Sequence, residues 1–251
     1  MKKFLVFLLI VALASFAFVG CDILPSEGEG EGEGEGEGET KQVVLVELYI
    51  QKGCSGCTVV EPILEGLAAN EYSREQMILV ELAAYGLYQT PEIFDRYQWY
   101  LPNRDDRGTP NILFNGLEGR IHGSSNQSAI KARIESKLRL TPTIKLEASR
   151  KATTEGTIIT GKLKNISSSE LTGLAVNGMV FQDRKESGFR YSVTRIFENE
   201  KVVINSLAPN EEKNFVLTIN GLEWGSKDDG VIFVQSINLP KKPIRQSLFL
   251  N

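Results

Sequence analysis

The stretch Gly53-Cys54-Ser55-Gly56-Cys57-Thr58-Val59-Val60-Glu61-Pro62-Ile63-Leu64 decides how this chain is to be read. It follows an apolar run at 43–50, which predicts a buried strand, and it opens an amphipathic segment that predicts a helix over 57–70. Two cysteines separated by two residues at a strand-to-helix junction form a dithiol suited to reversible oxidation. The first turn of a helix has unpaired N–H groups and the positive end of the helix dipole. A thiolate is stabilised there, so Cys54 is expected to titrate below a free thiol and to act as the nucleophile. Cys57, one turn on, is expected to resolve a mixed disulfide.

Outward from this stretch, the N-terminal side fixes the compartment. Met1-Lys2-Lys3 is a short basic segment, residues 4–20 carry no charge, and Cys21 follows. Residues 1–20 have the form of a secretory signal. Phe18-Val19-Gly20-Cys21 resembles a bacterial lipobox, in which the cysteine becomes an acylated N-terminus; Phe18 departs from the usual aliphatic residue. An uncleaved membrane anchor is the other reading of the same run. Either way the body of the chain is expected outside the cytoplasm, lipid-anchored to a bacterial membrane, where disulfides persist. Residues 27–39 alternate Glu and Gly and cannot bury a core. With Cys21 as lipidation site, residues 21–41 therefore read as a disordered tether, and its part from 25 to 41 could reach about 55–60 Å.

The tether also accounts for the net charge of −4. Without residues 1–39 the chain is close to neutral and has no basic stripe, so nucleic-acid binding is not expected. The remaining 210 or so residues suffice for two domains. In the first, 42–140, a second buried strand is expected at 77–82, and strand, helix, strand implies a parallel pair with a crossover. A helix with an aromatic side is expected at 90–100, then a loop entering a strand at 111–114. Asn115-Gly116 marks a turn, 119–122 a returning strand, and Ile130, Ile134 and Leu138 a closing amphipathic helix.

Residues 42–140 thus resemble a thioredoxin-fold domain. Cys54-Ser55-Gly56-Cys57 with Pro62-Ile63-Leu64 and Leu67-Ala68 is similar to that family's active-site helix with its kinking proline. Gly108-Thr109-Pro110 is similar to the loop carrying its cis-proline. The resemblance implies catalytic Cys54 and Cys57, cycling between dithiol and disulfide, and substrate contact at Thr109 and Pro110. It departs from thioredoxin proper at Gly53, where that protein has tryptophan, and at Ser55-Gly56, where it has Gly-Pro. The family's buried acid has only Glu47 as a nearby candidate, one residue out of alignment. The stretch 47–57 and the aromatic insertion at 90–107 look more like secreted thioredoxin-like proteins.

The sequence serves other uses of the dithiol less well. A structural staple closing so small a loop restrains the unfolded chain little. A zinc site wants four ligands and finds only His122 and carboxylates besides the pair. Copper delivery through Cys54, Cys57 and His122 would suit the soft ligands, but no motif surrounds His122. No metal and no cofactor is called for. Tyr97, Trp99 and Tyr100 could line a groove or fill a core.

Residues 143–251 contain no cysteine, no histidine and no phosphate loop. Eight segments about ten residues apart read as strands: 143–148, 156–164, 174–181, 191–196, 201–204, 214–219, 231–236 and 246–250. Their alternation suggests an antiparallel sandwich, and turns at 164–169 and 207–212 loosely resemble bacterial immunoglobulin-like modules. The expected fold class is an α/β thioredoxin-like domain followed by an all-β immunoglobulin-like sandwich that serves as a spacer or docking module. The expected function is thiol–disulfide exchange on protein cysteines, with a redox partner protein and a membrane as the further contacts. The alternative is a non-enzymatic envelope module that keeps the fold for binding or assembly.

Overall fold

Strand β1 (Val44–Gln51) is buried at every position but its last, so both faces of the sheet it belongs to are covered. In this computed structural model residues 39–186 and 188–251 are described; the signal-like run, Cys21 and all but the end of the Glu-Gly tether lie outside the described residues. β1 pairs in parallel with β2 (Met77–Tyr85), from Val44 opposite Met77 to Ile50 opposite Ala83. On its other side it pairs antiparallel with β3 (Asn111–Phe114). Asn115 and Gly116, both at positive φ, follow β3, and Asn111 and Ile112 then pair with β4 (Ile121–His122).

Helix α1 (Cys57–Asn70) continues through Pro62 and lays Val60, Leu64 and Leu67 on the face of β1 that carries Val44, Val46, Leu48 and Ile50. Ile130 and Ile134 of α3 (Gln127–Leu138) join that layer. Helix α2 (Pro91–Tyr100) covers the opposite face with Ile93, Tyr97 and Tyr100, against Leu45 and Tyr49. Thr90 caps α2, its hydroxyl accepting the Ile93 N–H at 3.3 Å. Asn126 does the same for α3 through the Ala129 N–H at 2.9 Å.

Eight further strands follow: β5 (Ile144–Thr153), β6 (Gly156–Asn165), β7 (Leu171–Gln182), β8 (Ser192–Ile196), β9 (Val202–Leu207), β10 (Glu212–Asn220), β11 (Asp228–Ser236) and β12 (Ile244–Leu250). Each falls on a segment read as a strand from sequence. Their assembly is not the expected one. β10, β6 and β5 form a three-stranded sheet, while the others extend the first sheet in the order β12-β11-β7-β8-β2-β1-β3-β4, with β9 also on β7. The join is a parallel bridge of Glu81 with Ser192.

This overturns the expectation of an α/β thioredoxin-like domain followed by an immunoglobulin-like sandwich. Among the described residues the protein is mostly β, 43% strand against 18% helix, in two sheets of which the larger draws strands from both halves. The physical reason lies on the α2 side of β1 and β2. Leu45, Tyr49, Ile78, Val80 and Leu82 form too wide an apolar face for one ten-residue helix. Met179, Phe181, Val193, Ile196, Val231, Phe233 and Ile244 of the later strands complete the same core. Residues 39–251 accordingly form one compact unit. Among the described residues no helix is long and apolar enough to cross a membrane.

Candidate functional site

The parallel strands β1 and β2 end side by side, with Gln51 opposite Tyr85, and the chain leaves each through a loop. The loop after β1 holds Cys54 and Cys57, which form a disulfide. The two sulfurs have different surroundings. Cys57 is 1% exposed and packs among Val60, Leu64 and Phe189, whereas Cys54 is partly exposed at the edge of that cluster. No side chain caps the start of α1. Instead the Cys57 N–H donates to Cys54 Sγ at 3.2 Å, so the sulfur takes the place of a capping oxygen. Negative charge on Cys54 would be held there by that N–H and by the helix end behind it.

Thr109 and Pro110 stand across from the dithiol, joined by a cis peptide bond. Cys54 Sγ lies 3.4 Å from the carbonyl oxygen of Thr109. Gly56 makes the close approach possible: a Cβ there would stand 2.9 Å from Pro110 Cδ. The loop before Pro110 is fixed from three sides. Tyr97 donates its hydroxyl to the Gly108 carbonyl at 2.8 Å, Tyr85 donates to the Arg107 carbonyl at 3.0 Å, and the Asn111 amide donates to the Asp106 carbonyl at 3.0 Å. Arg120 donates to that Asp106 carbonyl and to Asn111 Oδ1, both at 2.6 Å. The structure therefore brings Cys54, Cys57, Thr109 and Pro110 together.

Sequence reasoning missed a carboxyl cluster behind the dithiol helix. Glu61 and Glu65 of α1 and Glu81 of β2 are all buried. Glu81 alternates with Met77, Leu79 and Ala83, so it faces α1. Its Oε2 accepts the Tyr191 N–H at 2.8 Å, and Oε1 has no hydrogen-bond partner among the described residues. Glu65 accepts the Gly188 N–H at 2.8 Å and lies 3.6 Å from Arg190. Gly188 has a φ of 79°, which favours glycine, and a Cβ there would stand 2.4 Å from Glu61 Cδ. Burial, and then the charge of Glu65, pushes the Glu61 carboxyl up to about 7. Burial raises Glu81 well above the usual carboxylate range, against the pull of the Tyr191 N–H. A lone acid in the apolar run of β2 was the one sequence signal for this cluster.

Glu47 does not stand behind the dithiol. It alternates with Leu45 and Tyr49 and so faces α2, where its carboxylate meets Arg96 Nε at 2.7 Å and the Tyr100 hydroxyl at 2.8 Å. Arg96 and Tyr100 reach on to Gln235 of β11. Tyr97 and Tyr100 are thus core residues, and Trp99 is exposed. A cavity of about 380 Å³ beside Trp99 is lined by Asp95, Asn177, Glu198 and Gln235 among others, and by none of the dithiol residues. His122 is exposed and packs against Gly108. No group of three or more acidic, histidine or cysteine side chains placed to hold a metal ion occurs among the described residues.

No protein-family model matches this chain. No curated protein is similar to it in sequence. Among solved structures it is similar to HBP35 of Porphyromonas gingivalis, with a TM-score of 0.66 and 15% identity over 85% of this chain and 76% of that one. It is also similar to protein AGR_C_4864 from Agrobacterium tumefaciens, with a TM-score of 0.53 and 16% identity over 84% of this chain and 95% of that one. At such identities the likeness is one of fold. Both matches cover more than four fifths of this chain, so they take in strands from both of its halves.

Proposed function

We propose that this protein is an envelope thiol–disulfide oxidoreductase that exchanges a disulfide with cysteines of other proteins through Cys54 and Cys57. The observation that carries the reading is the asymmetry of the pair: a partly exposed Cys54 sulfur at a helix start beside the Thr109 backbone, and a buried Cys57. The disulfide form accepts electrons. A substrate thiolate attacks Cys54 Sγ, the Cys54–Cys57 bond breaks, and Cys57 leaves as a thiolate. A second substrate thiolate then attacks the substrate sulfur of the mixed disulfide, and Cys54 leaves. Two electrons pass from substrate to protein, and the protons of the two substrate thiols go to solvent or to the released thiolates. The reverse sequence reduces a substrate disulfide.

Thr109 suits the backbone of an extended substrate, because among the described residues its N–H meets no acceptor. The leader-like residues 1–20, acylation at Cys21 and the Glu-Gly tether would hold this site at a bacterial membrane, with several acyl chains giving stable anchoring. Protein thiols, a redox partner protein and the lipid surface are then its contacts.

Full-length Cys57→Ser, expressed in its native envelope, tests the reading. Without the resolving thiol, attack by Cys54 on a substrate disulfide stops at the mixed disulfide. After acid quenching and alkylation, discrete adducts that dissolve in reductant are expected, and none when Cys54 is also replaced. Absence of adducts, together with a wild-type disulfide that withstands strong reductant, would leave the non-enzymatic envelope module as the better account.

A further inference from the structure

We propose that Tyr88 is the specificity-determining residue of the dithiol site, selecting substrates that place an apolar side chain beside the reacting cysteine. We further propose that the β7–β8 connection is present at the site to hold it there. This rests on the oxidoreductase reading and names the substrate class that the site would take.

Tyr88 lies in the loop that leaves β2, beside the loop that leaves β1 with the two cysteines. It packs against the same apolar cluster as Cys54, a cluster that includes Cys57 and Phe189. Its φ is 69°. A non-glycine residue in that region persists only where its surroundings impose it, and such outliers gather at functional sites. Here the imposing contacts come from residues 183–186 and 188–191, more than ninety residues further along the chain. The Tyr88 hydroxyl donates to Glu186 Oε1 at 3.0 Å. The other oxygen of Glu186 takes the Lys52 ammonium at 2.7 Å, so one carboxylate ties Tyr88 to the dithiol loop two residues before Cys54. The Arg184 guanidinium lies 4.7 Å from the centre of the Tyr88 ring. Phe189 meets the ring edge-on at 5.0 Å. Gly188 and Tyr191 fasten the same connection to Glu65 and Glu81 beneath.

What this leaves for a substrate is apolar. The Tyr88 hydroxyl and the Lys52 charge are both spent on Glu186. The neighbouring Leu87 is 51% exposed, and Val59, two residues past Cys57, is 47% exposed. A cysteine seated at Cys54 with its backbone along Thr109 would carry a neighbouring side chain toward Tyr88, which packs on the same cluster as Cys54, and an apolar one would bury surface there.

Single-turnover oxidation of dithiol peptides by the full-length disulfide form tests the proposal. Two peptides carry either Leu or Asn next to the reacting cysteine, and dithiothreitol serves as the small thiol. The wild type is expected to oxidise the Leu peptide faster. Tyr88→Asn removes the ring while keeping a residue that tolerates positive φ. It is expected to cut the Leu-to-Asn rate ratio about tenfold, the size of a modest loss of apolar contact, with the loss confined to the Leu peptide. Tyr88→Phe, which keeps the ring, is expected to retain most of the ratio. A wild type without preference, or an unchanged ratio in Tyr88→Asn, would overturn the proposal. So would an equal fall in the dithiothreitol rate, which would show Tyr88 supporting the dithiol itself. If dithiothreitol reduces the pair but neither peptide reacts with the wild type, the oxidoreductase reading fails and takes this proposal with it.

Discussion

Glu61 sits one helical turn past Cys57, its carboxyl group pressed against Gly188. Its folded-state pKa of about 7 lies above the ordinary value of 4.5. Between those two values the folded chain holds a proton that the unfolded chain releases, so its contribution to stability falls as pH rises through the window and is level on either side. Glu81, raised by its burial, adds to the fall. Denaturant unfolding of the wild type is therefore expected to show declining stability from pH 5 to pH 8. Glu61→Gln is expected to match the wild type near pH 3.5 and to exceed it by about 1–3 kcal/mol at pH 8. Equal pH slopes in both proteins would place the proton elsewhere. At this scale the sequence disclosed what local spacing encodes. Cys54, Cys57, Thr109 and Pro110 belong to short motifs whose order along the chain mirrors their arrangement in space. The bonds of Gly188 to Glu65 and of Tyr88 and Lys52 to Glu186 span 98 to 134 residues, and no local pattern carries those.

Elements were legible for the same reason, because alternation and helical periodicity are local. Even the eight later strands fall where the pattern put them. What lay hidden was which face met what. Glu47 read as the candidate for the family's buried acid, one residue out of alignment, and nothing in the sequence matched it to Arg96 of α2 and, through it, to Gln235 of β11. The Arg96–Glu47 pair is almost wholly buried, and the guanidinium also lies 4.9 Å from the centres of both the Tyr100 and Phe233 rings. Removing one charge strands the other in the core. Glu47→Leu is expected to cost about 3–5 kcal/mol, and the double replacement with Arg96→Met distinctly less, since no lone charge then remains. Urea unfolding of both variants measures this. If the double variant proves as damaging as the single one, the pair contributes through packing and not through charge.

At the scale of the whole molecule, the sheet is what the sequence misplaced. Two stretches that each read as a self-sufficient domain share one hydrophobic core, because a sheet with open apolar surface recruits whichever strands can cover it. β8 continues the edge of β2, and β7, β11 and β12 follow, so the dithiol half ends in covered sheet and not in solvent. The consequence concerns truncation. A chain stopped at residue 142 keeps Cys54, Cys57, Thr109, Pro110 and helices α1, α2 and α3, yet it exposes Ile78, Val80, Leu82 and Leu113 where Phe181, Val193, Val231 and Phe233 had packed. It also loses the partners of Glu81 and Tyr88 at Tyr191 and Glu186, and so the wall proposed to set specificity. Residues 39–142 alone are therefore expected to lack a cooperative unfolding transition or to aggregate, whereas residues 39–251 should unfold in a single step. Intrinsic fluorescence and far-ultraviolet circular dichroism followed through one denaturant series make the comparison. Coincident, cooperative curves for the short chain would show that the dithiol half folds by itself, and that the shared sheet is an addition to it and not a requirement.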